Sequence, residues 1–281
     1  LTATPSLPQI ASPRPLCTEP LKRIAIFAAT SWELDAVRAA LATGVEQRVD
    51  DARVWVCTVG PREYWLARTG MGLEKAGRVA ARVLTHQPFS LAVSTGFACA
   101  LIAAEIGTLL VGCEVVSDDG VGTEPSRTID VPGAERDAVL ALAAGSTPPA
   151  HVGRFVSVAR IVGRASEKQR FARATGAIGL DMESAALAVE AQRAHVPFVV
   201  VRAVSDRVDE DLPLDFNLFL RPTEWLRGIA TVLAAPSSLL GLGRLRRQSG
   251  AAAKSLTTFF QRYATVQATD DIHAGLLVEP S

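Results

Sequence analysis

Net charge, cysteine and long apolar runs are what this sequence has little of. Lysine plus arginine number 29 and aspartate plus glutamate also 29, a formal net charge of zero. The chain therefore lacks the strong basic field of proteins whose affinity comes from phosphate backbones, and nucleic acid is not an expected partner. The four cysteines, Cys17, Cys57, Cys99 and Cys113, form neither a CxxC pair nor a dense disulfide framework. Reduced thiols in a cytoplasmic protein are the expectation. His86, His151, His195 and His273 stand at no spacing that would put two ligands on one helix face, so no metal is expected. No stretch supplies the roughly 18 apolar residues of a spanning helix, and no charged region followed by an apolar run opens the chain. A soluble protein is expected.

What is present suits one large domain with ragged ends in 281 residues. Residues 1–20 carry Pro5, Pro8, Pro13, Pro15 and Pro20 among small polar residues and read as an extended or disordered arm. The domain is expected over 21–220. It opens with Ile24 to Ala29, a short apolar run of the kind buried on both faces of a parallel sheet. Thr30 or Ser31 can then cap a helix from about Trp32 to Leu41, with Glu33 in its first turn. Further strand-like runs lie at Val54 to Val59, Tyr64 to Arg68, Leu91 to Ser94, Thr108 to Val116, Gly153 to Val158 and Phe198 to Ala203. Helical patterns fall between them, clearest at Leu73 to Thr85 and Met182 to Ala194. This alternation predicts an α/β fold with a central mixed β-sheet flanked by helices, and the early run of strands suggests that the sheet curls into a barrel. Gly120 to Pro149 reads as a surface excursion around one short helix, Glu135 to Leu142.

Residues 221–281 are expected to form an α-helical C-terminal tail packed on the same domain, as helices at Pro222 to Leu233, Pro236 to Arg247 and Ala251 to Tyr263. Arg244, Arg246 and Arg247 beside Leu239, Leu240, Leu242 and Leu245 make a basic amphipathic segment. Such a segment can contact a membrane surface, but an ordinary helix on a core has the same pattern and is preferred.

Two stretches carry candidate chemistry. In Gly179-Leu180-Asp181-Met182-Glu183-Ser184, two carboxylates flank a methionine where an apolar strand end turns into a helix of small residues. Asp181 and Glu183 can share one face with Met182 on the other, although an acidic helix start favoured by the macrodipole looks the same. In Phe198 to Asp206, an apolar strand interrupted by Arg202 ends on Ser205-Asp206, which sets a cation and a carboxylate at the carboxyl edge of a sheet, where α/β sites gather. An internal ion pair followed by a helix cap is the plainer alternative.

Together with Ile24 to Ala29 and Glu33, Thr69-Gly70-Met71-Gly72, and Ser94-Thr95-Gly96-Phe97-Ala98, these stretches resemble, in the same order, the family containing methylthioadenosine/S-adenosylhomocysteine nucleosidases and purine nucleoside phosphorylases. Thr175-Gly176-Ala177 and the proline-containing tail look closer to the hopanoid-associated phosphorylase branch, which is associated with removing adenine from an adenosyl-hopane. The resemblance implies cleavage of the N-glycosidic bond of a purine nucleoside, a 5′-modified adenosine. By the same resemblance Asp206 matches the carboxylate that protonates purine N7, with Ser205 orienting it. Glu183 matches the carboxylate on the ribose hydroxyls, with Asp181 and Met182 beside it at the sugar. Glu33 matches the carboxylate that activates water, and Arg202 the arginine paired with it. Gly70 and Gly72 are expected at the sugar-side turn. Thr95, Gly96 and Phe97, with Ser94 and Ala98, are expected to line the base and nucleophile pocket. Ile161 and Val162 stand where the family stacks an aromatic and an aliphatic residue on the base, and the aliphatic Ile161 weakens that stacking.

Hydrolysis is the expected reaction, because Ser94, Phe97 and Ala29-Thr30-Ser31-Trp32 stand where bacterial phosphorylases keep phosphate ligands. Phosphorolysis is the alternative, with Arg68, Arg160 or Arg164 supplying charge and orthophosphate as co-substrate. No other cofactor is implied. A non-catalytic nucleoside-binding module is the rival of another class, since Asp181 and Ile161 depart from the usual nucleosidase residues. A homo-oligomer is expected.

Overall fold

A computed structural model of the chain describes residues 21–118, 133–213 and 236–276. The proline-rich arm, the first part of the expected excursion and the helix expected at Pro222 to Leu233 lie outside those residues. Within them the chain alternates strands and helices: β1 (Lys22–Ala28), α1 (Ser31–Arg38), β2 (Val45–Val49), β3 (Ala52–Val59), β4 (Arg62–Arg68), α2 (Leu73–His86), β5 (Leu91–Ala100), β6 (Leu109–Asp118), α3 (Ala134–Ala144), β7 (His151–Val158), α4 (Ala165–Thr175), β8 (Gly179–Asp181), α5 (Ser184–Arg193), β9 (Phe198–Asp206) and α6 (Pro236–Leu276).

The strands form one nine-stranded mixed sheet in the order β2-β3-β4-β1-β5-β8-β7-β6-β9, and β9 pairs back onto β5. The sheet thus closes a five-stranded ring through β5, β8, β7, β6 and β9, from which β1, β4, β3 and β2 extend. The expected curl is real, but the later strands close it; the early ones form the open extension. Strands β1, β4, β5 and β9 run parallel, so their carboxyl ends gather on one side.

The apolar runs are buried because both faces of the sheet are covered. Ala25, Phe27, Ala92, Val200 and Val204 pack with α2 and α5 in one cluster, while Ile24, Ile26, Val93, Val199 and Val201 pack with α1, α3 and α6 in another. Full burial of such a side chain is worth about 1.5–3 kcal/mol. The expected break near Gly250 does not occur, and α6 is one helix of 41 residues. Glycine costs a helix only about 1 kcal/mol against alanine. The face carrying Ala252, Leu256, Phe259, Phe260 and Tyr263 gains more than that by packing on the sheet. At the end of the sheet where β1 and β4 begin, Glu135 of α3 receives the buried Arg62 and the hydroxyl of Tyr263, tying α3 and α6 to β4. Among the described residues no helix is long and apolar enough to cross a membrane.

Two elements were not anticipated. β2 has four exposed residues in five and carries no apolar signal. α4 is polar, with only Lys168 and Phe171 buried. The strand end expected before Met182 is β8, three residues long.

Candidate active site

The site forms at a fork in the sheet. Along one edge β5 pairs with β9 from Ala92 to Cys99, whereas along the other it pairs with β1 only as far as Thr95 and with β8 only from Cys99. Between these partners the backbone of Phe97 is left for side chains to use: its N–H donates to Glu33 Oε1 at 2.8 Å, and its carbonyl accepts from Arg202 Nη1 at 3.3 Å.

Glu33 reaches the fork because Thr30 caps α1. The Thr30 hydroxyl accepts from Glu33 N at 3.3 Å, and Glu33 Oε2 accepts from the Thr30 N–H and hydroxyl, both at 2.8 Å. The reciprocal capping box fixes the helix start, and the same carboxylate keeps its second oxygen at β5. Gly96 makes room for it. Its φ is +139°, and a Cβ there would lie 2.3 Å from Glu33 Oε1 and 2.9 Å from Arg202 Nη1. Any other residue would displace both side chains, which meet at the Phe97 backbone; the expected direct pairing of Arg202 with Glu33 gives way to ion pairs of Arg202 with Asp181 and Glu183.

Arg202, on β9, is fully enclosed. Its Nε lies 3.1 Å from Asp181 Oδ2 and its Nη2 3.7 Å from Glu183 Oε2, and Nη2 donates to the hydroxyls of Ser94 and Ser184 at 2.9 and 3.3 Å. Burial opposes the charge, but Asp181, Glu183 and Glu33 outweigh it and raise the guanidinium's pKa. Asp181 is occupied from within the chain. Oδ1 accepts from the Ser157 hydroxyl at 2.6 Å and from the N–H groups of Glu183 and Ser184 at 3.1 Å, while Oδ2 accepts from the Ser184 hydroxyl. Those bonds satisfy the first N–H groups of α5, which is why the helix begins at Ser184 rather than Met182.

Glu183 therefore sits at the N-cap of α5, where Oε1 accepts from Gly72 N at 2.9 Å. Gly72, at φ +96°, turns that N–H into the site from the loop after β4. Burial pushes the Glu183 pKa up to about 7; Arg202 and the Gly72 N–H lower it, and Asp181 and Glu33 raise it.

Asp206 ends β9. Oδ1 accepts from the Ser205 hydroxyl at 3.0 Å, and Oδ2 accepts from Lys168 Nζ at 2.7 Å. Glu33, Glu183, Arg202, Ser205 and Asp206 line one pocket, and Asp181, Met182, Phe97, Ile161 and Val162 line it with them. Thr95, Gly96, Gly70 and Gly72 are not part of its wall. The Thr95 hydroxyl donates to Val201 O at 2.9 Å, Gly96 lies against Glu33, Gly72 holds Glu183, and Gly70 turns the chain at φ +78°. Of the three arginines considered for phosphate, Arg160 reaches the pocket, where it is held by Glu167. Arg68 instead faces a separate hollow with Lys75 and Arg82, and Arg164 stands at the N-cap position of α4 without a side-chain capping bond.

The sequence profile of the phosphorylase superfamily matches residues 23–225, which is most of the chain and the whole of this site. The chain belongs to the phosphorylase superfamily. An enzyme of that superfamily, as anticipated, is what the fold and the match describe. A relative in the superfamily, the 5′-methylthioadenosine/S-adenosylhomocysteine nucleosidase of Staphylococcus aureus strain MRSA252, is 25% identical over 209 residues, covering 70% of this chain and 92% of the relative. The fold is shared with the Helicobacter pylori 5′-methylthioadenosine/S-adenosylhomocysteine nucleosidase crystallised with a pyrrolidine ligand, at TM-score 0.64 and 17% identity over 86% of this chain and 98% of that one. It is also shared with the futalosine hydrolase of H. pylori strain 26695, at TM-score 0.64 and 16% identity over 88% and 98% of the two chains.

On this superfamily fold the pocket includes residues that the sequence did not single out. Thr30, Met71, Cys99 and Leu212 join its wall, and Lys168 lies behind Asp206. Thr30 and Met71 were visible as a cap and as part of a glycine turn. Lys168 was not, because a single lysine in a polar helix gives no signal.

Proposed function

We propose that the chain hydrolyses the N-glycosidic bond of a purine nucleoside, an adenosine carrying a 5′ substituent. The observation that carries this reading is the set of carboxylates around one pocket: Asp206 from the end of β9, Glu33 from α1 and Glu183 from the start of α5. Breaking C1′–N9 leaves electrons on the base and positive charge on the sugar. Asp206 delivers a proton to N7, so the base departs neutral. Glu183 faces the sugar, where its negative charge favours the oxocarbenium-like state over the ground state. Water attacks C1′ and gives up its proton to Glu33, and the products are free base and free sugar.

Water rather than orthophosphate is supported by the charge around the nucleophile. Arg202 is enclosed by Asp181, Glu183 and Glu33, and Arg160 is engaged with Glu167. A phosphate dianion entering beside three carboxylates meets repulsion that a neutral water does not. A 5′-modified adenosine is supported by the apolar Met71, Ile161 and Leu212 in the pocket wall, and by the adenosine-derived names of the relatives.

The test is Asp206→Asn on 5′-methylthioadenosine, followed by adenine release, with circular dichroism to verify the fold. The amide cannot act as an acid, and turnover should fall by the roughly 100- to 10,000-fold typical of a missing general acid. Turnover near that of the wild type contradicts the assignment.

A further inference from the structure

We propose that Lys168 is the positioning residue of the proton donor: it acts on the leaving base through Asp206 and fastens the pocket wall that follows it. This rests on the reading of Asp206 as the acid. Lys168 projects from α4 into complete burial. Its ammonium uses three donors, to Asp206 Oδ2 at 2.7 Å, Arg207 O at 2.9 Å and Glu210 O at 2.8 Å. An ammonium carries three protons, so each is engaged.

A buried charge is a poor choice for anchoring a helix. Removing an ammonium from water costs several kcal/mol even after relaxation, and an apolar residue of similar volume often holds a helix as well or better. α4 already has such an anchor in Phe171, beside the apolar Val158 and Leu180. The placement of the cation against the acid therefore asks for a chemical account.

That account follows from where charge moves. As the proton passes from Asp206 to N7 and C1′–N9 breaks, negative charge collects on the Asp206 carboxylate. A cation fixed 2.7 Å away meets that charge without reorganising. Lys168 on Oδ2 and the Ser205 hydroxyl on Oδ1 together set the rotation of the carboxyl group. The Cys99 thiol lies beside the pair, and burial lifts its pKa well above the ordinary range. It stays a neutral thiol and does not compete as an anion for the ammonium.

The two carbonyl bonds add a second effect. They pin residues 207–210, which lead to Leu212 in the pocket wall. The same segment is held from α6, where Arg244 and Gln248 bond Glu210 at 2.6 and 3.1 Å. Lys168 thus links the acid to the wall the nucleoside packs against.

The experiment compares Lys168→Met with the wild type on two substrates: 5′-methylthioadenosine, and a p-nitrophenyl riboside bearing the same 5′ group. The phenolate departs without a proton at N7. We expect kcat on the adenosine to fall by roughly 100-fold or more, within the range of general-acid effects, while the aryl riboside loses less than about tenfold. In an Asp206→Asn background Lys168→Met should add little on the adenosine, because groups that act as a unit are not additive. Lys168→Arg, which keeps the cation, should recover part of the loss. If Lys168→Met does not fold, Lys168→Gln, which keeps a donor for the carbonyls but no charge, carries the comparison. Equal losses on both substrates, or an undiminished further loss in the Asp206→Asn background, overturn the proposal and leave Lys168 a structural residue. If Asp206→Asn alone loses both substrates equally, the assignment of the acid fails instead, and the role of Lys168 falls with it.

Discussion

Replacing Glu183 with glutamine should make the protein more stable and less active, and the structure says over which pH range. The side chain is buried, and its pKa lies at about 7 against an ordinary 4.5. At 1.36 kcal/mol per pH unit that difference is worth about 3 kcal/mol. The folded state holds the proton more tightly than the unfolded state, so this group's contribution to stability is complete below 4.5 and is lost as pH rises to about 7. Above that, the wild type buries an ionised carboxylate that glutamine does not. Arg202 keeps Asp181 at 3.1 Å but loses a weaker partner at 3.7 Å, which offsets part of the gain. Glu183→Gln should therefore exceed the wild type by on the order of 1–3 kcal/mol above neutral pH, and the two should converge in acid. Activity should move the other way. The ionised form is the one that opposes positive charge on the sugar, so wild-type kcat/KM should rise with pH up to about 7 and level off. The variant should lack that rise and lose more on ribosides than on 2′-deoxyribosides. Urea denaturation and kcat/KM, each followed across neutral pH, measure both effects. A variant less stable than the wild type in alkaline buffer, or one that keeps the rise through neutrality, refutes the reasoning.

Two further substitutions probe the fork between β1 and β8. Gly96→Ala places a Cβ 2.3 Å from Glu33 Oε1 at a φ of +139°; it should cost about 1–3 kcal/mol in backbone strain and remove most turnover, and thermal unfolding with wild-type turnover would show that Glu33 need not sit there. Glu33→Gln should lose about 100- to 10,000-fold in turnover as a missing general base, with no recovery on adding orthophosphate; recovery would assign the reaction to a nucleophile that arrives already charged.

Much of this was legible in the sequence where a local pattern has one physical meaning. The unbroken apolar runs at Ile24, Leu91 and Phe198 could be satisfied only by burial on both faces, and they became β1, β5 and β9. Asp206, Glu183 and Arg202 stood out as charges in or at the ends of apolar elements, whereas Glu33 and the role of each came only from the family resemblance. The fork that unites them was not readable. It depends on β5 exchanging β1 for β8 along one edge, a pairing between segments some 80 residues apart. Asp181 looked like a site carboxylate, yet most of its bonding goes to the start of α5 and to Ser157, partners visible only once β7 and β8 are paired. Lys168 was silent because two of its partners are backbone carbonyls, which no side-chain pattern reports. The tail, read as helices ending at Arg247 and resuming at Ala251, is one helix, held continuous by the packing of Leu256, Phe259 and Tyr263.

The central claim is that water, not phosphate, takes the sugar. The direct measurement is the identity of the sugar product when purified protein acts on 5′-methylthioadenosine in phosphate-free buffer and again with orthophosphate added, resolved by mass spectrometry. The arrangement of Glu33, Arg202 and Glu183 predicts adenine and free methylthioribose at the same rate in both buffers. Silence without phosphate, followed by turnover to the sugar 1-phosphate when it is added, contradicts it.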